Sequence, residues 1–399
     1  MRRARMRAGA KLQAVVVGAG VIGSCIAFRL ANRDTEVTLI DASLPGAGSA
    51  GTFAWIGASS PALRDYFDLN ASGLAAHRRL RLELGGNHWL IDTGCLSWSG
   101  DPALQARLEE NLEALQALGY SAMPLQPTRA LELEPDLHLP HSVETVIFYP
   151  DEGYVHLGPL IGQLHRAAQA RGARILHQAR VVEIETVGQR VRAIRLASGE
   201  RFQTDVVILC CGSWTEEVVK LAGDSLPMIA ADANGSPAVG LMVLTRPQTG
   251  RISRVLLADE IMIRPDGAGR LLLRSDVHDQ RVNVRSRMPP FPAAALDLVK
   301  QARARLASPT LQLESAHVAL RALTADGLPA VGWLPRSEGV YVAVTHSGVT
   351  LAPLLGELVS GEVNSGEDDE QLRTFRPDRF QTLELAAAPH HAQPQEGGQ

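Results

Sequence analysis

The chain has 399 residues, 45% of them hydrophobic and 21% charged, with a formal net charge of -4. That is ordinary globular composition, long enough for two domains with sizeable cores, and it lacks the strongly basic balance that nucleic acid binding requires. The four cysteines, Cys25, Cys95, Cys210 and Cys211, include an adjacent pair and no metal-ligand spacing, which argues against a zinc site or disulfide framework and fits a reducing cytoplasm.

The start carries Arg2, Arg3, Arg5 and Arg7. The apolar run after it, Ala14 to Val17, leads straight into glycines and reads as a buried strand rather than a signal-peptide core. Met6 is an alternative start. No stretch approaches the ~20 apolar residues that a membrane span needs. The ends, 1–11 and 384–399, read as disordered, and His390 and His391 fall in that tail.

Residues 13–41 read as strand, turn, helix and strand, in QAVVVG, VIGSCIAFRLANR and EVTLID. PGAGSAGTFAWIGA has neither helical nor alternating period, so it reads as a loop or extended segment. A helix is expected over 68–84. Asp101 as N-cap with Pro102 at the first helical position opens the next one. Its apolar stripe is Leu104, Leu108, Leu112, Leu115 and Leu118, and Gly119 ends it. Another helix is expected over 159–171.

RVVEIETV, RVRAIRLAS and RFQT read as a small antiparallel meander, and TDVVILCCG as a buried, parallel-type strand. Between 227 and 320 the texture changes. AVGLMVLT, RVLLA, EIMIRP and RLLLRSD read as strands of an antiparallel sheet, with a helix near 293–306. GVYVAVT, HSG and TLAPLLGELVSGEV then return to strand, turn and helix. The acidic run 366–370 reads as a solvated loop. This order predicts an α/β fold, α+β overall. A nucleotide-binding domain is built from 12–92, 150–226 and 319–380, and a second domain is inserted as 93–149 and 227–318.

Gly18-Ala19-Gly20-Val21-Ile22-Gly23 follows a Val-rich strand and opens a helix, and Asp41, followed by Ala42, ends the next strand. This is the dinucleotide fingerprint in its proper context. Gly18 permits the tight turn, Gly20 lets a pyrophosphate approach the backbone, and Gly23 allows close packing of helix and strand. The helix start offers free N–H groups and partial positive charge. Asp41 can accept from both ribose hydroxyls and would repel a 2′-phosphate. A Gly-rich turn without ligand is the alternative. Spacing alone does not separate NAD from FAD.

Six separated motifs occur in order: VVVGAGVIG with Asp41; GAGSAGTFAWIGA; DEGYVHLGPL; VVILCCGSWT; ALRALTADGLPAVG; and YVAVTHSGVTLAPLLGELV. Over 13–380 the chain thereby resembles the D-amino-acid oxidase superfamily of flavoproteins, which includes glycine oxidase, sarcosine oxidase and D-amino-acid dehydrogenase. The resemblance implies a Rossmann-type FAD domain, an antiparallel-sheet substrate domain, and an isoalloxazine ring at their interface. It implies that Ser49, Thr52, Trp55 and Ile56 run beside the pyrophosphate and flavin, and that the backbone of Val181 meets the adenine. Cys211, Gly212 and Trp214 would form a second glycine turn over the cofactor.

His346, Ser347, Gly348, Val349, Thr350 and Leu351 would face the flavin pyrimidine ring. Thr350 can N-cap that helix, and Pro353 is tolerated in its first turn. An ordinary strand–helix turn is the alternative. Arg321 is similar in position to the arginine of glycine oxidase that pairs with the substrate carboxylate. A structural arginine at the domain interface is the other reading. Arg321 also counts among the cofactor contacts.

Sarcosine oxidase anchors its flavin through a cysteine at the position of Ala319, so the FAD here is expected to be non-covalent. Ile261 and Met262 stand where small-amino-acid oxidases often show an aromatic. Met262 is therefore a candidate substrate contact for a bulkier, less polar substrate, or a core residue. The implied chemistry is hydride transfer from the carbon beside a neutral amine nitrogen to flavin N5. The resulting imine hydrolyses. No general base is named. His346 is a candidate for tuning the site, or a solvated loop residue. Cys210 and Cys211 read as small buried residues.

Oxygen or another acceptor would reoxidise the flavin, and an oligomer is compatible with the sequence. Two alternatives remain. One is an NAD-dependent dehydrogenase sharing only the fingerprint. The other is a partner-dependent flavoprotein subunit acting on a tethered or unusual substrate.

Overall fold

The computed structural model describes residues 11–382 apart from 33, 45–47, 87, 234, 251 and 285–292. The two expected disordered ends, apart from Lys11, lie outside the described residues.

The Val-rich first strand, Leu12–Val17, is the centre of a six-stranded sheet. Its order is Ala330–Trp333, Val340–Val344, Val206–Leu209, Leu12–Val17, Thr35–Ile40 and Arg174–Leu176. Every neighbouring pair is parallel except the first. The continuous apolar runs read as parallel-type strands are buried on both faces, as such strands must be. Helix Val21–Leu30 follows the first strand and is buried almost all round. It packs against Gly348–Ser365, where a Cβ on Gly356 would sit 3.0 Å from the Cys25 carbonyl oxygen.

An eight-stranded sheet forms the second layer. Its order is Leu313–Leu320, Val239–Thr245, Leu271–Arg274, Ile261–Pro265, Val255–Ala258, Cys95–Trp98, Val146–Tyr149 and Met123–Leu125. One junction departs from the expected antiparallel pattern: Val255–Ala258 runs parallel to Cys95–Trp98. These strands come from distant stretches of chain, so no hairpin dictates their sense. A single apolar cluster joins Val16, Ile26 and Tyr341 of the first layer to Met242, Met262 and Leu272 of the second.

Asp101 caps its helix as expected, accepting from Ala103 N at 2.8 Å and Leu104 N at 3.1 Å. The meander forms from Val181–Val187, Arg190–Leu196 and Arg201–Gln203. The helix expected over 68–84 begins earlier, at Arg64, with Asp65 in its first turn. The small-residue segment is not all loop: it holds a short helix, Gly48–Gly51, and a strand, Trp55–Ile56, paired with Gly153–Val155. Glu367 and Asp368 in the acidic run are exposed, and Asp369 caps the turn that follows.

Candidate functional site

A cavity of about 410 Å³ lies where the carboxyl ends of the parallel strands face the eight-stranded sheet. Open α/β sheets bind ligands in this crevice. One side of it is the glycine turn. Gly18 has φ +100°, and a Cβ there would overlap the carbonyl oxygen of Cys210; a Cβ on Gly23 would overlap that of Gly18. Gly20 faces the cavity, where a Cβ would meet Ser49 Oγ at 3.0 Å.

Gly20 also sits at the N-cap without a side chain to cap with. Ser49 caps the helix in its place, its Oγ accepting from Val21 N at 3.0 Å. Asp41 accepts from Ala19 N at 2.7 Å and Ser43 N at 2.6 Å. Its carboxylate is thus fixed at the mouth of the turn.

Ile22, Ala42, Thr52 and Val181 also line the cavity, as do Cys211, Gly212 and Trp214. Burial pushes the Cys211 thiol up to about 12 and the Cys210 thiol well above its ordinary value. Both thiols are free and protonated at neutral pH; Cys210 is buried as expected, whereas Cys211 is only half-buried, at the cavity.

The opposite wall carries charge. Arg321 and Arg274 both line the cavity, with side chains only 8% and 11% exposed. Arg321 pairs with Asp279, reaches Asp276 at 3.4 Å, and donates from Nη1 to Pro237 O at 3.1 Å. Arg274 pairs with Asp276, and its Nη1 donates to Met262 Sδ at 3.6 Å. Met262 therefore stands behind Arg274 rather than on the cavity wall.

His346 lines the same wall. Burial, followed by the fields of Arg321 and Arg274, pushes its imidazole down to about 3. It is a neutral group at working pH, not a cation.

The helix after His346 corrects one expectation. Gly348–Ser365 starts after Ser347 with no side-chain cap, and Thr350 lies inside the first turn, buried. The Thr350 hydroxyl receives the Gly57 N–H at 3.4 Å instead. Pro353 sits in the second turn, not the first. Lacking an N–H, it leaves the Val349 carbonyl without its helical donor. The fully buried His77 supplies one, donating from Nε2 to Val349 O at 2.8 Å. Burial pushes His77 down to about 4, so it stays neutral. Ser347 is held by the Tyr66 hydroxyl at 2.7 Å. Gly348 and Val349 line the cavity. Ser347, Thr350 and Leu351 are not part of its lining.

Trp55 and Ile56 stand away from the cavity lining. The Trp55 indole donates to Glu152 at 3.0 Å. Glu152 is fully buried and also accepts from Tyr120 at 2.7 Å and Ala58 N at 3.2 Å. Burial lifts its carboxyl to about 7 against those hydrogen bonds.

The family of FAD-dependent oxidoreductases matches residues 13–361. The chain belongs to that family. It is 26% identical over 376 residues to the glycine oxidase of Geobacillus kaustophilus, covering 90% of this chain and 95% of that one. The crystal structure of that organism's glycine oxidase superposes with TM-score 0.79 at 23% identity, over 92% and 99% of the two chains. L-proline dehydrogenase from P. horikoshii superposes with TM-score 0.79 at 19% identity, over 93% and 98%. The protein is accordingly an FAD-dependent oxidoreductase of the D-amino-acid oxidase type.

The cavity fits the family's cofactor. Gly20 leaves open the space a Cβ would take, the helix start is aimed at it, and the Asp41 carboxylate stands at its edge. Arg274, Asp276, Asp279 and His77 were not singled out in the sequence. The one local signal was RLLLRSD, where an arginine and an aspartate end a buried strand and demand partners. His77 gave none, because its role depends on a proline far along the chain. Among the described residues no helix is long and apolar enough to cross a membrane, and no cluster suits a metal ion.

Proposed function

We propose that the protein oxidises the C–N bond of a small amino acid or amine to an imine, which water hydrolyses to a carbonyl compound and an amine or ammonia. The observation carrying this reading is one cavity that joins the glycine turn to a wall of two buried guanidiniums. The glycine oxidase relative supplies the substrate class. Bound FAD would supply the redox chemistry, accepting at N5 the hydride that leaves the substrate's α-carbon.

The protein's own residues do the positioning. The wall formed by Arg321 and Arg274 anchors a carboxylate, and orientation over the reacting atom is most of what such chemistry needs. His346, held neutral, adds no charge to compete with that anchor. Held down to about 3 by burial, it is a poor proton acceptor and is given no role as a general base.

The cofactor site would draw on Gly18, Gly20, Val21 and Ile22 for the pyrophosphate and on Asp41 for the ribose. The turn from His346 to Leu351 would serve the flavin ring. Ala319 on the cavity wall offers no thiol for attachment, which supports non-covalent binding.

The test is anaerobic bleaching of the flavin band with D-amino acids, L-amino acids, N-methyl amino acids and simple amines. Bleaching by one of these classes names the substrate. A yellow protein that none of them bleaches would favour the partner-dependent reading. A protein that will not take up FAD would sink the proposal. Acid precipitation should release the flavin into the supernatant.

A further inference from the structure

We infer that Arg274, rather than Arg321, is the residue that takes the substrate's carboxylate, and that Arg321 is the buried tie holding the acidic groups behind it. This rests on the amino-acid reading above and narrows it.

The two guanidiniums differ in what they have left to give. Arg321 is anchored on both terminal nitrogens: Nη1 to Pro237 O at 3.1 Å, and Nη2 to Asp279, with Asp276 at 3.4 Å. Asp279 is itself only 4% exposed and also accepts from Leu241 N at 2.6 Å. Withdrawing Arg321 toward a ligand would strand a buried carboxylate, a loss that a new hydrogen bond hardly offsets.

Arg274 is held on one side only. Its Nη2 pairs with Asp276, which is 26% exposed. The acceptor of its Nη1 is the thioether of Met262 at 3.6 Å, and a thioether is a weak acceptor. Its Nε has no hydrogen-bond partner; the Asp279 carboxylate lies 3.8 Å from it. A guanidinium with spare donors on a cavity wall is under-satisfied. A small swing off the sulfur gives Nη1 a substrate carboxylate, and the same swing can close the Nε gap to Asp279. Both changes replace weak contacts with charge-assisted ones.

Charge balance narrows the substrate. Two guanidiniums face two aspartates, and His346 is neutral. The wall has no excess positive charge, and of its two guanidiniums only Arg274 has donors to spare, so it can pair one carboxylate at most. An amino acid with a single carboxylate fits this arithmetic. A second carboxylate would enter a buried site without a partner.

The experiment titrates the oxidised holoenzyme with acetate and benzoate, which cannot be oxidised, and follows the perturbation of the visible flavin spectrum. It then measures anaerobic bleaching by amino acids with one carboxylate, by iminodiacetate, and by simple amines. Arg274→Gln should weaken acetate and benzoate binding on the order of 10- to 100-fold, the loss expected for a charged hydrogen bond. The concentration giving half-maximal bleaching rate should rise similarly, while the limiting rate changes by only a few-fold. Arg274→Lys should fall between. If Arg274→Gln folds poorly, Arg274→Gln/Asp276→Asn removes the pair together and should show the same loss.

Unchanged carboxylate affinity in the Arg274 variants, with loss in the charge-balanced Arg321→Met/Asp279→Leu variant, would overturn the assignment in favour of Arg321. So would faster bleaching by iminodiacetate than by any monocarboxylic amino acid. Bleaching by simple amines alone, with no carboxylate perturbing the wild-type flavin, would instead overturn the amino-acid reading beneath it.

Discussion

The Val349 carbonyl owes its hydrogen bond to a residue 272 positions away, and this offers a sharp test of how the turn at the cavity is held. In an unbroken helix residue 353 would donate to that carbonyl; Pro353 cannot. His77→Phe keeps an aromatic ring in the buried slot and deletes the 2.8 Å bond. Leaving a buried carbonyl unpaired costs about 1–3 kcal/mol. The imidazole carries its own buried, unpartnered Nδ1. Removing it returns part of the loss, so a net destabilisation of about 1–2 kcal/mol is expected. At about 2 cal/mol/K per residue of unfolding entropy, that is roughly 1–3 °C for a chain of this length.

The decisive comparison is a double-mutant cycle. Pro353→Ala restores an N–H at the position that should donate to Val349 O. His77→Phe should then cost at least about 1 kcal/mol less in the Pro353→Ala background than in the wild type. Urea midpoints of all four proteins give the coupling, and FAD dissociation constants show whether the turn moves, since Val349 lines the cavity. Additive effects within about 0.5 kcal/mol would refute the reasoning, because the two residues would then not serve the same carbonyl.

Other outcomes follow from the same geometry. Gly18→Ala puts a Cβ into the Cys210 carbonyl at a positive φ, so the variant should purify without flavin colour, or fail to fold. A yellow Gly18→Ala protein with wild-type FAD affinity would count against the cradle. Glu152 has its carboxyl raised from an ordinary 4.5 to about 7, so the folded state holds a proton that the unfolded chain releases. It stabilises below about 4.5, and that contribution is lost as pH rises through about 7.

Between those limits Glu152→Gln should make the slope of stability against pH more positive by up to about 1.4 kcal/mol per unit, measured by urea unfolding across pH 5 to 7. His77 works the other way. Pushed down to about 4, it favours the fold above its ordinary 6.5, and that contribution is lost as pH falls toward 4. The His77→Phe protein should lose this acid sensitivity. Arg321→Met strands Asp279 and should cost about 3–5 kcal/mol, and Arg321→Met/Asp279→Leu should recover much of it. Equal stability of the two variants would show that the pair is not buried as described.

The sequence by itself determined the parallel sheet and the glycine turn. Their causes are local: an apolar run wide enough to be buried on both faces, glycines where a Cβ cannot fit, an aspartate ending the next strand. The Asp101–Pro102 helix start was legible for the same reason, since a cap acts on the N–H groups two and three residues away.

Only the tertiary structure decided the far wall of the cavity. Arg321 could be placed at the site from its motif, but its saturation by Asp279 could not. A guanidinium's spare donors depend on which carboxylates the fold brings within reach, and no periodicity records that. Thr350 reads as a cap by type; the fold places the cap three residues earlier, at Ser347, because Tyr66 holds Ser347 and His77 holds Val349. Both partners lie in one distant helix, Arg64–Leu84, and contacts across some 270 residues of chain are written only in three dimensions.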